Sequence, residues 1–230
     1  MKIGFNFKKA KPSYYNLHTL RDSVMKKAYK LKWDFSHIID DDYDVTIIEN
    51  VDTSMIASRL IGIRDISFPD CLYFKANFNL IPKYDYPLND LGIPVCSNRM
   101  MDLLFSKSNI ELKRIPIVMI DDTYLNEIFD LKGMLYDEVP INKNYSTFQL
   151  KTYAEVFDYN NSIYEEDFIL PVGHIEKLVL REPEQDFQPI FRMRECMSDL
   201  FVSQCMKEIL EDNKVKGCVF EEIEVSSGSI

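Results

Sequence analysis

The chain has 230 residues, of which 46% are hydrophobic and 13% aromatic, values that exclude wholesale disorder and allow a sizeable core. Its net charge of −10 is uneven: residues 1–32 hold nine basic side chains and one acidic one, whereas the remainder holds 18 basic and 36 acidic. This charge serves solubility in any case, but an acidic body also repels phosphate backbones, so we expect a basic partner and no nucleic acid.

Local patterns predict the first elements. The segment 19–33, TLRDSVMKKAYKLKW, is a candidate helix with a basic outer face. The segment 44–51, DVTIIENV, favours a strand, followed by a helical or irregular stretch to Arg64. In 71–80, CLYFKANFNL, apolar and polar residues alternate, which predicts a half-buried strand.

A proline-rich segment follows and is the best candidate for a boundary. Residues 81–94, IPKYDYPLNDLGIP, contain three prolines and one glycine. We therefore divide the chain into an N-terminal α/β region, residues 1–90, and an α+β domain, residues 92–227. The region 1–90 is either a unit of its own or part of the same globule.

A helix, a strand and a loop are predicted next. Ser97 is a candidate N-cap. The buried side of its helix is predicted to comprise Met100, Met101, Leu103 and Leu104. The apolar segment 114–120, RIPIVMI, predicts a strand that Pro116 would place at an edge or at a strand start. Residues 121–144 are predicted to be rich in loops.

The last third is predicted to consist of strands and one helix. Strands are expected at 145–153, 174–182 and 189–196. In FVSQCMKEILEDNKVKGCVFEEIEV, residues 201–225, Ser203 is a candidate N-cap and Gly217 a turn residue. The buried stripe of this helix is predicted to comprise Val202, Cys205, Met206, Ile209 and Leu210.

The final strand changes its apolar phase between Phe220 and Ile223, which indicates a β-bulge near Glu221–Glu222. The whole pattern lacks regular βαβ alternation. It predicts an α+β fold with a mixed, mainly antiparallel sheet and a few packed helices.

Cellular location follows from two absences in the sequence. No segment approaches the roughly 20 consecutive apolar residues of a membrane helix. Only five residues separate Lys2 from the pair Lys8 and Lys9, too few for the apolar part of a secretion signal. We therefore expect a cytoplasmic protein without a membrane partner. The five cysteines, an odd number without CxxC spacing, predict reduced thiols.

Common catalytic motifs are absent from the sequence. It has no GxGxxG, GxxxxGK[ST], HExxH or GxSxG. Its histidines, His18, His37 and His174, are far apart in sequence. We predict no catalytic residue, no cofactor and no metal.

Two acidic clusters are the candidate partner-binding sites. The first comprises Asp40, Asp41, Asp42 and Asp44. It is compatible with a solvated turn, with a protein-binding patch, or with a site for a hard cation, although its spacing is not that of a calcium loop. The second comprises Glu165, Glu166 and Asp167, which lie between two aromatic residues. It is either a solvated loop or a contact site with aromatic anchors.

Arg192 and Arg194 are expected to project from one face of the strand predicted at 189–196. In so acidic a chain, pairing with nearby glutamates is favoured over binding of phosphate.

Four short motifs follow one another over residues 92–225: Pro94 with Ser97, Ile190–Phe191–Arg192, Phe201–Val202–Ser203, and Gly217 with Phe220. In their order and spacing they resemble the family-eleven immunity proteins of bacterial polymorphic toxin systems. Residues 1–90 and 121–144 have no counterpart in the resemblance.

The resemblance implies a protein that binds a cognate toxin domain and occludes it, with no catalysis of its own. The acidic body makes a basic toxin the expected partner. Two other classes stay open: a metal-dependent hydrolase that uses Asp40, Asp41, Asp42 and Asp44, and a cytosolic adaptor without a toxin.

Overall fold

The computed structural model describes residues 26–36, 43–48, 55–62, 67–105, 110–167 and 172–227. In chain order their elements are β1 (Ala28–Trp33), β2 (Val45–Ile47), α1 (Ile56–Ile61), β3 (Leu72–Ala76), β4 (Cys96–Ser97), α2 (Asn98–Phe105), β5 (Leu112–Asp121), β6 (Ile141–Leu150), β7 (Ile163–Tyr164), β8 (Ile175–Lys177), β9 (Val179–Arg181), β10 (Ile190–Phe191), β11 (Leu200–Ser203), α3 (Gln204–Asp212) and β12 (Cys218–Ser226). The fold is largely sheet with some helices, consistent with the α+β prediction.

Two five-stranded sheets organise these elements. The first has the order β10–β11–β1–β12–β9, and the second has the order β2–β3–β5–β6–β4. Only β9 with β12 and β3 with β5 pair in parallel among the strand pairs of the described residues. The strands β7 and β8 form a separate antiparallel pair. No helix in the described ranges has the length and apolar character needed to cross a membrane.

The first sheet separates two hydrophobic cores. Tyr29 of β1 packs in one core, which α2 and α3 close with Met100 and Met206. Phe201 of β11 packs in the other core, where its ring stacks on that of Phe191 with centroids 5.4 Å apart. The sheet therefore buries apolar side chains on both of its faces.

The two cores explain the phase change in β12. Phe220 packs against the core that contains α2 and α3, whereas Val225 belongs to the opposite core. The pairing of β1 with β12 runs without a register shift. The bulge predicted near Glu221–Glu222 is therefore wrong. The side chains of β12 alternate regularly between the two faces of the sheet, and its apolar residues lie on one face up to Phe220 and on the other face from Ile223 onwards.

The helix predicted over 19–33 is wrong where it can be compared. Residues 28–33 form β1, and residues 19–25 lie outside the described part of the chain. The strand pairs with β11 on one edge and β12 on the other. Its alternate residues Tyr29, Leu31 and Trp33 all pack in the same core. This long-range pairing overrides a weak local preference for helix.

The strand predicted around Pro116 is longer and more central than expected. It is β5, which has β3 on one side and β6 on the other. Pairing with β3 begins only at Ile117. Pro116 thus lies one residue before β5 gains its second neighbour, so its missing N–H costs no hydrogen bond to β3.

Both predicted N-caps are confirmed. The hydroxyl of Ser97 accepts the N–H of Met100 at 3.1 Å, and that of Ser203 accepts the N–H of Met206 at 3.3 Å. The buried stripe of α3 is narrower than predicted. Met206 and Leu210 are buried and Ile209 is partly buried, but Cys205 is exposed.

The proline-rich segment 81–94 runs through the interior of the protein. Its carboxylate Asp85 is 8% exposed and accepts hydrogen bonds from the hydroxyl of Ser97 at 2.6 Å and the N–H of Lys216 at 3.1 Å. Both oxygens of this carboxylate also bind the guanidinium of Arg99. Asp85 therefore ties the segment to the start of α2 and to the turn before β12.

The described part of residues 1–90 contributes to both large sheets, through β1 in the first and through β2 and β3 in the second. The division into a region 1–90 and a domain 92–227 stays a prediction.

Gly217 is where two backbone segments meet. Its φ is +90°, in the region that favours glycine. A Cβ at this position would lie 2.6 Å from the carbonyl oxygen of Tyr86. The same segment is held by hydrogen bonds from the N–H groups of Asp85 and Tyr86 to the carbonyl of Lys216, at 2.9 and 3.1 Å.

We predict that Gly217→Ala lowers the free energy of unfolding by more than about 3 kcal/mol, because a left-handed backbone costs about 1–2 kcal/mol and the clash adds to it. Gly133→Ala is the matched control, since Gly133 has a φ of +75° but a Cβ there would have nothing within 4 Å. Gly133→Ala should lower the free energy of unfolding only by the cost of the left-handed backbone. Urea unfolding measures the loss of stability in both variants, and equal losses would contradict the close contact at Gly217.

Candidate functional site

The first acidic cluster is described only at Asp44, because Asp40, Asp41 and Asp42 lie outside the described residues. The carboxylate of Asp44 accepts the N–H of Leu88 at 2.8 Å. The N–H of Val45 donates to the carbonyl oxygen of Leu88 at 3.1 Å. Asp44 thus holds the start of β2 against the segment 81–94. A role of this cluster in partner binding stays a prediction.

The second acidic cluster is exposed on an ordered backbone. Glu165, Glu166 and Asp167 follow β7 directly. The N–H of Glu165 donates to the carbonyl of His174, and the carbonyl of Glu165 accepts the N–H of Gly173, both at 2.8 Å. These bonds extend the β7–β8 hairpin. The clusters belong to different parts of the fold, since Asp44 leads into the second large sheet.

An aromatic cluster lies next to these carboxylates. The rings of Phe157, Tyr159 and Tyr164 contact one another edge to face, with centroids 4.8 to 5.9 Å apart. Phe157 is buried, whereas Tyr159 is 47% exposed. Tyr159 thereby presents part of an aromatic surface on a rigid base.

Tyr159 also lines a cleft of about 530 Å³. All lining residues fall between 151 and 195, and they include the exposed cations Arg181 and Arg194. Arg181 donates from Nη2 to the carbonyl oxygen of Glu155 at 3.0 Å. Three cations and two carboxylates line the cleft together with aromatic rings, so it has a small excess of positive charge in an acidic protein.

In the wall of the cleft, Glu195 interacts with Tyr159. The hydroxyl of Tyr159 donates to this carboxylate. The hydrogen bond, burial and the negative charge of Glu195 together raise the pKa of Tyr159 to about 12, whereas Arg194 acts in the opposite direction. Tyr159 stays a neutral hydrogen-bond donor in the neutral pH range.

Arg192 has a structural position that the sequence did not indicate. It is 3% exposed, and its Nη1 donates to the carbonyl oxygens of Met197 at 2.6 Å and Ser198 at 3.1 Å. Burial lowers its pKa. The expectation that Arg192 and Arg194 share one face and pair with glutamates is wrong for Arg192, because its partners are backbone carbonyls.

Asp158 fixes the turn that carries Tyr159. It is 8% exposed, and its carboxylate accepts the N–H groups of Asn160 and Asn161 at 3.0 and 3.2 Å. It also accepts the side-chain amide of Asn161 at 2.7 Å and the hydroxyl of Ser226. These hydrogen bonds, above all that of Ser226, lower the pKa of Asp158.

The chemistry of this arrangement suits binding. Guanidinium groups take carboxylates, and an exposed phenol ring takes a cation or an apolar side chain. Within the described residues, no group of three or more His, Cys, Asp or Glu side chains could hold a metal ion. The roles of Tyr159 and Arg181 were missed from sequence, because the cleft assembles from several short segments and no local motif marks it.

Comparison with protein families finds a match to the immunity protein family Imm11 over residues 143–225. The match confirms the resemblance to immunity proteins for that segment. It includes the whole cleft, α3 and every strand of the first sheet except β1. A search of curated proteins finds no match to the chain.

We predict that Asp158→Asn lowers the free energy of unfolding by about 1–3 kcal/mol at neutral pH, because one amide oxygen cannot accept the hydrogen bonds of a carboxylate. The folded pKa of Asp158 lies below its unfolded value. Its stabilisation is therefore present above an unfolded pKa of about 3.9 and is lost as the pH falls through the folded pKa.

Urea unfolding at a series of pH values from about 7 to 3 should show the wild type and Asp158→Asn converging. The control is Asp186→Asn, at an exposed carboxylate, which should change little at any pH. A difference between wild type and Asp158→Asn that stays constant with pH would contradict the assignment.

Proposed function

We propose that the protein is an immunity protein that binds a cognate toxin domain and neutralises it by occlusion, with no catalysis of its own. The observation that carries the proposal is the match of residues 143–225 to the Imm11 family. This segment builds most of the first sheet and the cleft.

Charge supports a basic toxin as the partner. The chain beyond residue 32 holds 36 acidic and 18 basic side chains. Such an excess steers a basic domain towards the protein and raises the association rate at low salt. The exposed carboxylates of Glu165, Glu166 and Asp167 are candidates for that role, as are those of the first acidic cluster. We place the encounter in the cytoplasm.

The metal-dependent hydrolase has less support. It would use Asp44 together with Asp40, Asp41 and Asp42, and no contact of Asp44 in the described residues favours it over a structural role at the start of β2. Nothing specific favours the adaptor.

Co-expression with the toxin encoded beside its gene tests the proposal. The chain should restore growth of cells that express the toxin and should co-purify with the toxin domain. A chain that neither rescues nor binds that toxin contradicts immunity.

The charge component is tested by Glu165→Gln, Glu166→Gln and Asp167→Asn combined. This variant should associate more slowly with the toxin domain, and its association rate should depend less on salt, because salt screens attraction between exposed charges. Stopped-flow binding at several salt concentrations measures both effects.

The matched control removes three other exposed carboxylates, by Glu184→Gln, Glu208→Gln and Asp212→Asn. If both variants slow association equally, overall charge is responsible and the second acidic cluster has no special position.

A further inference from the structure

The connection between β5 and β6, residues 122–140, is an ordered hairpin, which we call the acidic hairpin. Phe129 and Leu135 form an antiparallel bridge. The N–H of Asp130 donates to the carbonyl oxygen of Met134 at 2.8 Å, and the carboxylate of Asp130 accepts the N–H of Met134 at 2.8 Å. The conformation of the tip is thus set before any partner arrives.

The acidic hairpin is attached to the second sheet at its base. The ring of Phe129 contacts that of Tyr73 of β3 edge to face, with centroids 5.0 Å apart. The N–H of Asp122 donates to the carbonyl oxygen of Ala76 at 3.0 Å, and Val139 is only 5% exposed. The base is therefore part of the folded body.

The hairpin carries apolar side chains that this body does not use, with Leu131 and Met134 at the tip and Leu125 in the first arm, before the bridge of Phe129 and Leu135. Leu131 is 109% exposed, Leu125 is 92% exposed and Met134 is 66% exposed. Leu131 and Leu125 are the two most exposed large apolar side chains among the residues that the structure describes. Exposed apolar groups on ordered backbone are typical of interface anchors, because binding buries them at little cost in ordering.

The hairpin is also rich in carboxylates. Residues 122–140 contain five acidic side chains and one basic side chain, Lys132. Of the five, Asp122, Glu127, Asp137 and Glu138 are exposed, and Asp130 is partly exposed. Exposed apolar side chains together with carboxylates complement an apolar surface that carries basic groups.

We propose that the acidic hairpin is the docking element for the toxin, with Leu131 and Leu125 as apolar anchors against a basic face of the toxin domain. This assignment rests on the proposed function. The charge disfavours a symmetric contact between the hairpins of two copies and also an anionic lipid surface, because like charges would meet in both cases. The hairpin lies outside the segment that matches the family.

The double variant Leu125→Ser, Leu131→Ser tests the proposal with the toxin domain encoded beside the gene. Its Kd should rise about tenfold or more, mainly through faster dissociation, because each buried leucine anchor contributes a large share of an interface's free energy. Surface plasmon resonance measures both rates. The melting temperature should not change, since neither leucine packs in the isolated chain.

The matched control is Met55→Ser with Val219→Ser, which removes two apolar side chains that are 50% and 42% exposed elsewhere. It should bind the toxin as the wild type does. If the hairpin double variant also binds like the wild type, the docking assignment fails while immunity stands. If the wild type does not bind the toxin, both proposals fail.

Sedimentation of the free chain distinguishes another occupant. A wild type that forms dimers, together with a Leu125→Ser, Leu131→Ser variant that is monomeric, would assign the hairpin to a second copy and overturn the proposal. A monomeric wild type at micromolar concentration is the expected result.

Discussion

The carboxylate of Asp85 joins the parts of the chain on which the rest of the structure depends. It is buried, and it binds Ser97, Arg99 and the backbone of Lys216. Removing the carboxylate would leave the buried hydroxyl of Ser97 without this acceptor, and an unsatisfied buried polar group costs more than the net gain from a hydrogen bond. Through Asp85 the segment 81–94, the start of α2 and the turn before β12 hold one arrangement, beside the core of the first sheet that contains Tyr86 and Met100.

The sequence predicted the elements that local signals determine. The caps Ser97 and Ser203, the turn at Gly217 and the alternation in β3 all depend on neighbours within a few residues. The failures involve distant partners. Ala28 pairs with Ser203, 175 positions later. The alternation of Tyr29, Leu31 and Trp33 with lysines is a local strand signal, but it is short and lies at the end of a longer segment with a helical pattern. The position of Pro116 depends in the same way on where β3 begins alongside β5.

For the candidate site too, the sequence predicted what local composition determines and missed what distant contacts determine. Composition alone identified the acidic clusters, but the bond from Leu88 to Asp44 depends on the path of a segment 44 residues away. In the acidic hairpin, Leu131 is exposed whereas Val139 is buried, and their sequence context does not distinguish them.

The scaffold of the Imm11-like segment and the hairpin outside it have separate tasks in our account. The scaffold supplies stability and a cleft, and the hairpin supplies the anchor for a particular toxin.

The central claim is that the protein neutralises a toxin by occupying it. Titration of a fixed amount of the active toxin domain with the purified chain tests this most directly. Occlusion predicts that toxin activity falls linearly with added chain, reaches its minimum at one equivalent, and does not change further with time. Loss of activity that continues with time at a small fraction of one equivalent would show turnover, and would contradict the account.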